Sequence, residues 1–466
     1  MASGDDAVSA PAETRTPRTA LLLDVGSTSV KGAIVDVETG RALTETHAST
    51  PAALTGLPTR HETDPQTMLA VVRGVAEELL SHPGAAPQQA LLSTQMHSCL
   101  LTDRKNRPVS PILSWQDNRL LENTSCGRTH LESLAAQASP GLWESSGIAQ
   151  RPGFGGGNLG LWLGENPDTG QADGLRIHTL GSFLSVSLGG PYATGLSNAA
   201  SLGLVDVRAT DWSEDLVALH ALTGCELPDI IRRPSPCGII TVQGAEITWW
   251  GDLGDHQASV LGAGGLDDDE LAISLGTAGI AARLADSPSS DPQVDSRPYI
   301  DGRYLLAVSR QPGGALASEF ATLLGGVASH ISGTTVSLGN VWARLAELPE
   351  AGRGPERLSI SEEASGERRI NLDSISPSAP LQSLYTGFLV HYAQAYQECV
   401  DLLFPAAGSR PTRLKFNGGF AARSEQLRTT LAESLDLKIN DVPSGELALE
   451  GLRTLMMTST QRRNHL

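Results

Sequence analysis

Positive charge is the scarce commodity in this 466-residue chain: 34 lysines and arginines face 52 aspartates and glutamates, a formal net charge of −18. That balance argues against nucleic acid or an anionic membrane as the main partner, while a small anionic ligand needs only local amides and cations. Cysteine is sparse as well. Cys99, Cys126, Cys225, Cys237 and Cys399 include no CxxC pair, which gives no zinc site and suits reduced thiols in the cytoplasm. No apolar run is long enough to span a bilayer. The first residues, MASGDDAVSAPAETRTPRT, lack an apolar h-region, so neither signal peptide nor anchor is expected, and residues 1–17 read as a disordered tail. No GxxxxGK[ST] occurs, which excludes a P-loop. GGGNLG (155–160) does match GxGxxG, but the preceding SSGIAQRPGF is not strand-like, so a dinucleotide site is not expected there.

Glycine is plentiful: 49 residues, against only 4% aromatics, point to many tight turns and close backbone approaches. The length suggests two or three domains. Helical patterns at 68–81, 383–404 and 425–435 alternate with short apolar strands, which implies an α/β architecture. The proline-containing DIIRRPSPCGIITVQG (229–244), with its strand-like GIITV, reads as the crossing between two halves, 18–243 and 244–466. SPSSDPQVDSRP (287–298) and EAGRGPERLSISEEASGE (350–367) read as loops.

A short repeat links the halves. ALLLDVGSTSVKGAIVDV (20–37) and LAISLGTAGIAARLA (271–285) both run apolar strand, Gly, hydroxyl residue, short turn, apolar strand. Gly26 aligns with Gly276 and Ser27 with Thr277. Such turns present amides and hydroxyls to one point, which suits a phosphate, and two copies suggest two clasps around one polyphosphate. In the first copy Asp24 ends a strand that reads as buried, where a carboxylate is costly unless something charged meets it.

Three further segments carry chemistry. STQMHSCLL (93–101) ends a strand with Gln95, Met96 and His97, and PILSWQDNR (111–119) gathers Trp115, Gln116, Asp117 and Arg119, a set suited to a polyhydroxylated ligand. In WWGDLGDHQASVLGAG (249–264), Asp255 is the candidate general base for phosphoryl transfer and Asp252 a cap or support. LKFNGGFAARS (414–424) closes a strand on Gly418 and Gly419, which would admit a flat ligand such as adenine.

In order and spacing, DVGSTSVKGAIVD, QMHSCLL, WQDNR, GDHQASVLGAG, ISLGTAG and NGGFAARS resemble the FGGY carbohydrate kinases of the actin/hexokinase/Hsp70 superfamily, over nearly the whole chain from Ala20 to Met456. The resemblance implies two ribonuclease-H-like, actin-like ATPase domains around a cleft, ATP and Mg²⁺ as cofactors, a sugar substrate, a cytoplasmic enzyme and a homodimer. By position it implies Asp24 toward Mg²⁺; Gly26, Ser27, Thr28 and Lys31 as the first phosphate loop; Gly276 and Thr277 as the second; and Gly418, Gly419 and Phe420 as the adenosine turn. It further implies Gln95, Met96, His97, Trp115, Asp117 and Arg119 beside the sugar and Asp255 as its base. QMH with WQD, PGFGGGNLGLWL and SNAASLGLVDV are most similar to the sedoheptulokinase branch, with xylulokinase or another pentulose or polyol kinase as the alternative. Asn158, and His256 with Gln257, depart from the commoner family residues. A non-catalytic sugar- or nucleotide-binding relative is the rival reading; intact Asp24 and Asp255 oppose it.

Overall fold

The computed structural model describes residues 18–464, apart from 55–56, 58, 171–173, 349–356, 363–367, 374–380, 406–409 and 441–444. The tail expected over 1–17 and most of the loop expected over 350–367 lie outside the described residues; the middle of the latter is a strand, Arg357–Glu362.

Strands β1 (Thr19–Val25), β2 (Ser29–Asp36), β3 (Ala42–Ser49), β4 (Pro87–Thr94), β5 (Gly238–Val242) and β6 (Ala245–Gly254) form one six-stranded sheet in the order β5-β6-β4-β1-β2-β3. All seven residues of β1 are buried because the strand is central and both its faces are covered. On one face lies helix α1 (Pro65–Leu80), started by Asp64, whose carboxylate accepts from Thr67 N at 2.7 Å, and by Pro65 in the first turn. Met68, Val72, Val75 and Leu79 recur at helical spacing and are buried against the sheet, each contributing about 1.5–3 kcal/mol.

A second six-stranded sheet is built from β7 (Glu270–Leu275), β8 (Gly279–Ala285), β9 (Asp295–Pro298), β10 (Tyr304–Gln311), β11 (Arg413–Asn417) and β12 (Lys438–Ile439), ordered β9-β10-β8-β7-β11-β12. The repeat seen in the sequence is now structural. β1 pairs antiparallel with β2 and parallel with β4; β7 pairs antiparallel with β8 and parallel with β11. Each sheet thus aims one Gly-hydroxyl turn at the cleft.

Two expectations need correction. The boundary at 243/244 cuts through the β5–β6 hairpin, and β6 pairs in parallel with β4 of the first sheet. The first unit therefore runs on through helix α2 (Asp255–Gly262), and the chain's last helix, α3 (Leu447–Asn464), returns to it: Leu449, Leu452 and Met456 pack beside Ala20, Leu22 and Ala258. Residues 287–298 are not wholly loop, since β9 occupies their end and pairs with β10. GGGNLG opens a helix (Gly155–Glu165) whose first three glycines are buried, and a Cβ on Gly156 would meet Leu202 O at 2.7 Å, so these glycines serve packing.

Candidate active site

Asp24 is held in register between its two neighbours: Lys31 opposite on β2 and Ser93 beside it on β4. Ser93 Oγ donates to its Oδ1, and Lys31 in turn pairs with Glu446. Only 7% exposed, the carboxyl has a raised pKa; burial raises it, Ser93 and Lys31 oppose that, and Glu446 adds to it. Asp24 faces a cavity of about 410 Å³ between the two sheets, together with Ser27, Lys31, Gly276 and Thr277.

A larger cavity of about 1070 Å³ adjoins it, and Gly276, Thr277 and Gly419 line both. Thr28, Gly419 and Phe420 line the larger one, where the Phe420 and Trp342 rings lie 5.9 Å apart. The second turn is braced from below: Gly314 N donates to Gly276 O at 2.7 Å and Ala315 N to Thr277 O at 3.0 Å. Gly418 lines the smaller cavity and has φ 93°, with a Cβ there meeting Leu275 O at 2.6 Å, so glycine is required. Gly26 caps its own turn through N–H to Ser29 O at 3.0 Å and lines neither cavity.

Asp255 opens helix α2 and lines the smaller cavity with Met96, His97 and Trp115. Its Oδ1 accepts from His256 N at 2.9 Å and from Met96 N at 3.4 Å. Burial, and then the charge of Asp24, push its pKa up to about 6. Asp252 is the support: three donors, Gly195 N, Asn198 Nδ2 and Thr194 Oγ1, converge on it within 3.1 Å.

The structure separates the remaining candidates. Gln95 is buried, with its N–H donating to Val25 O, and lines neither cavity. Asp117 and Arg119, expected beside the sugar, are fully buried and paired to each other at 2.8 Å; Arg119 also binds Glu62, and Asp117 accepts from His61 N. This correction has a simple cause. In a five-residue turn only Trp115 reaches the cavity, and its charged neighbours brace the turn from behind, where Asn158 Nδ2 also donates to Asp117 O.

Sequence reasoning missed an arginine network. Asp295 Oδ2 accepts from Arg151 at 3.1 Å, Arg297 at 2.8 Å and Ser309 Oγ at 2.9 Å. Arg151 Nη2 donates to His97 Nε2 at 3.0 Å, and Arg297 Nη1 to His256 Nδ1 at 2.9 Å. The signal available was a charge pair, VDSRP, in a segment read as loop.

Two sheets, each presenting a Gly-hydroxyl turn to one cleft with a buried carboxylate beside it, are a fold with known relatives. Residues 19–262 match the FGGY family of carbohydrate kinases, N-terminal domain. The chain belongs to this family. A xylulose kinase of Lactococcus lactis is 24% identical over 385 residues, 80% of this chain and 72% of that protein. An apulose kinase of Pectobacterium atrosepticum is 29% identical over 272 residues, 55% of this chain and 53% of that protein. The crystal structure of a xylulose kinase from Rhodospirillum rubrum shares the fold at TM-score 0.78 and 19% identity, covering 96% of this chain and 91% of that one. As an FGGY kinase the chain is an ATP-dependent sugar kinase with the two-domain, actin-like α/β fold. Among the described residues, no helix is long and apolar enough to cross a membrane.

Proposed function

We propose that the enzyme transfers the γ-phosphoryl group of MgATP to a terminal hydroxyl of its sugar, with Asp255 as the base. The observation that carries this is the position of Asp255, on the same 410 Å³ cavity as both phosphate turns, with a carboxyl whose pKa lies near neutrality. Adenosine occupies the larger cavity against Phe420 and Gly419, with Gly418 holding the turn from the side of the smaller cavity, and the phosphates pass over Gly276 and Thr277 toward Ser27 and Lys31, with Gly26 and Thr28 shaping the first turn. Asp24 fits Mg²⁺: it is one nearly buried carboxylate facing the phosphate path, and hard cations of this size take carboxylate and phosphate oxygens together. Bound there, the ion neutralises charge on the phosphates. Asp255 accepts the hydroxyl proton, Met96 and Trp115 supply apolar surface for the carbon skeleton, and closure of the cleft excludes water.

QMH and WQD favour a ketose, sedoheptulose first and xylulose second. An ADP-release assay with MgATP over ketoses, polyols and sugar acids tests the reaction, with Asp255→Asn as control. Turnover that survives Asp255→Asn would remove Asp255 from the role of base, and silence on every acceptor in a protein that binds ADP would return the non-catalytic reading.

A further inference from the structure

Lys31 already has an anion of its own. Its ammonium pairs with Glu446, the residue ahead of α3, and both side chains line the smaller cavity with Asp24. The register that sets Lys31 on β2 opposite Asp24 on β1 has no charged counterpart in the second hairpin. There Ser274 of β7 stands where Asp24 stands in the first copy, and it faces Ile280 of β8. The second turn, Gly276 to Gly279, carries no charge either. Charge on the phosphate path is thus concentrated on the first hairpin and on Glu446.

Among the described residues, the other cations on this cavity are engaged away from that path. Arg151 and Arg297 hold Asp295, and Arg310 Nη2 donates to Asn118 Oδ1 at 2.9 Å. The carboxyl groups lining the cavity are Asp24, Asp255 and Glu446, and the adjoining larger cavity adds one charge of each sign, Arg423 and Glu425. A polyphosphate arriving without a metal ion therefore meets three carboxyl groups and a lysine that Glu446 has neutralised. Arriving with one, it brings the positive charge that those groups favour. The Lys31 and Glu446 side chains are 27% and 57% exposed, so water screens the pair and it is weak enough to exchange.

We propose that Glu446 is a specificity-determining residue for the nucleotide: it stands in for a phosphate on Lys31 while no nucleotide is bound, and it yields the lysine to a nucleotide that carries its metal ion. The exchange breaks one ion pair and forms another, from Lys31 Nζ to a phosphate oxygen, and leaves the Glu446 carboxylate facing the cation-bearing phosphates. This deepens the nucleotide reading of the cleft and rests on it, making one residue responsible for discrimination against metal-free ADP and ATP. Glu446→Gln removes the charge but keeps the side chain's size. It also keeps the backbone carbonyl that accepts from Glu450 N at 3.0 Å, so the start of α3 stays in place.

Titration calorimetry at fixed ionic strength compares ADP in EDTA with ADP in excess Mg²⁺, for the wild-type protein, Glu446→Gln, Lys31→Gln and the double variant. Glu446→Gln should tighten metal-free ADP by about 10-fold, the size of one like-charge contact near a protein surface, and MgADP by less than about 2-fold. Because the effect acts through Lys31, the gain should shrink by at least about threefold in the Lys31→Gln background. A second readout uses the chain's four lysines, which give four lysine signals in the NMR spectrum of the ¹³C-dimethylated protein. The Lys31 signal, assigned by its loss in Lys31→Gln, should move in nucleotide-free Glu446→Gln and, in the wild type, on addition of MgADP. Equal gains for ADP and MgADP, or a gain undiminished without Lys31, would overturn the proposal while leaving the kinase intact. So would a Lys31 signal that stays in place under either change. Failure of the wild-type protein to bind ADP with or without Mg²⁺ would overturn the nucleotide reading and this one with it.

Discussion

Asp24 and Asp255 line one cavity from different elements, a strand end and a helix start, and the charge of the first raises the pKa of the second. The proton affinity of Asp255 and the Mg²⁺ position proposed for Asp24 are therefore electrostatically linked. A cation at Asp24 would lower the Asp255 pKa and favour its ionised form.

That linkage sets the pH dependence. Asp255 must be ionised to accept a proton, and its carboxyl titrates near 6, so acceptor kcat/KM should fall about tenfold per unit below roughly pH 6 and level off above it. Asp24→Asn removes the repulsion and should move the Asp255 titration, followed by carboxyl NMR in the nucleotide-free protein, to lower pH. An unchanged titration would show that burial alone sets it.

Asp255→Asn should lower kcat by about 10²–10⁴-fold, the usual contribution of a positioned base, with ADP affinity retained. Its Tm at pH 8 should not fall. The folded carboxyl holds its proton more tightly than the unfolded one, so ionised Asp255 costs the fold stability as pH rises through 6, and Asn lifts that cost. Calorimetry and steady-state kinetics check both parts.

Phe420→Ala should raise the KM for ATP about 10-fold, with the acceptor KM little changed. The ring lines only the larger cavity, beside Trp342, and an aromatic face for a flat base is worth about 1–3 kcal/mol. Equal effects on both substrates would instead mean that the turn at Gly418 and Gly419 had moved.

Asp295→Asn should cost about 3–5 kcal/mol of stability, read by chemical denaturation, because it strands Arg151 and Arg297. Burial alone would raise the Asp295 pKa, but the two guanidiniums outweigh it and hold the carboxyl far below its ordinary value. Its contribution is therefore present above about pH 4 and is lost only as the pH falls from there toward the folded value. The same substitution should leave the acid limb of the wild-type stability curve shallower.

Much of this was legible in the chain itself. Local patterns carried the two Gly-hydroxyl hairpins, the helices over 65–80, 381–403 and 425–435, and the strand-end and helix-start positions of Asp24 and Asp255, because a turn, a cap or an amphipathic helix is written in adjacent residues. Sheet membership was not. The β5–β6 hairpin and α3 join the first sheet through pairings and packing that no local signal contains, which is why a boundary placed at proline-rich residues failed. The arginine wall of the smaller cavity was equally out of reach. Arg151 and Asp295 lie 144 residues apart, and Arg310 and Asn118 lie 192 apart, so only the closed cleft makes them neighbours. Asp117 and Arg119 show the converse: two residues only two and four positions past Trp115 are buried in their own ion pair, away from the cavity. The sequence by itself determined where the candidate groups for a phosphoryl transfer lie, since each sits on a short motif. Tertiary structure alone decided which charges face the smaller cavity, since side-chain direction in a bulged strand or tight turn depends on its partners across the fold.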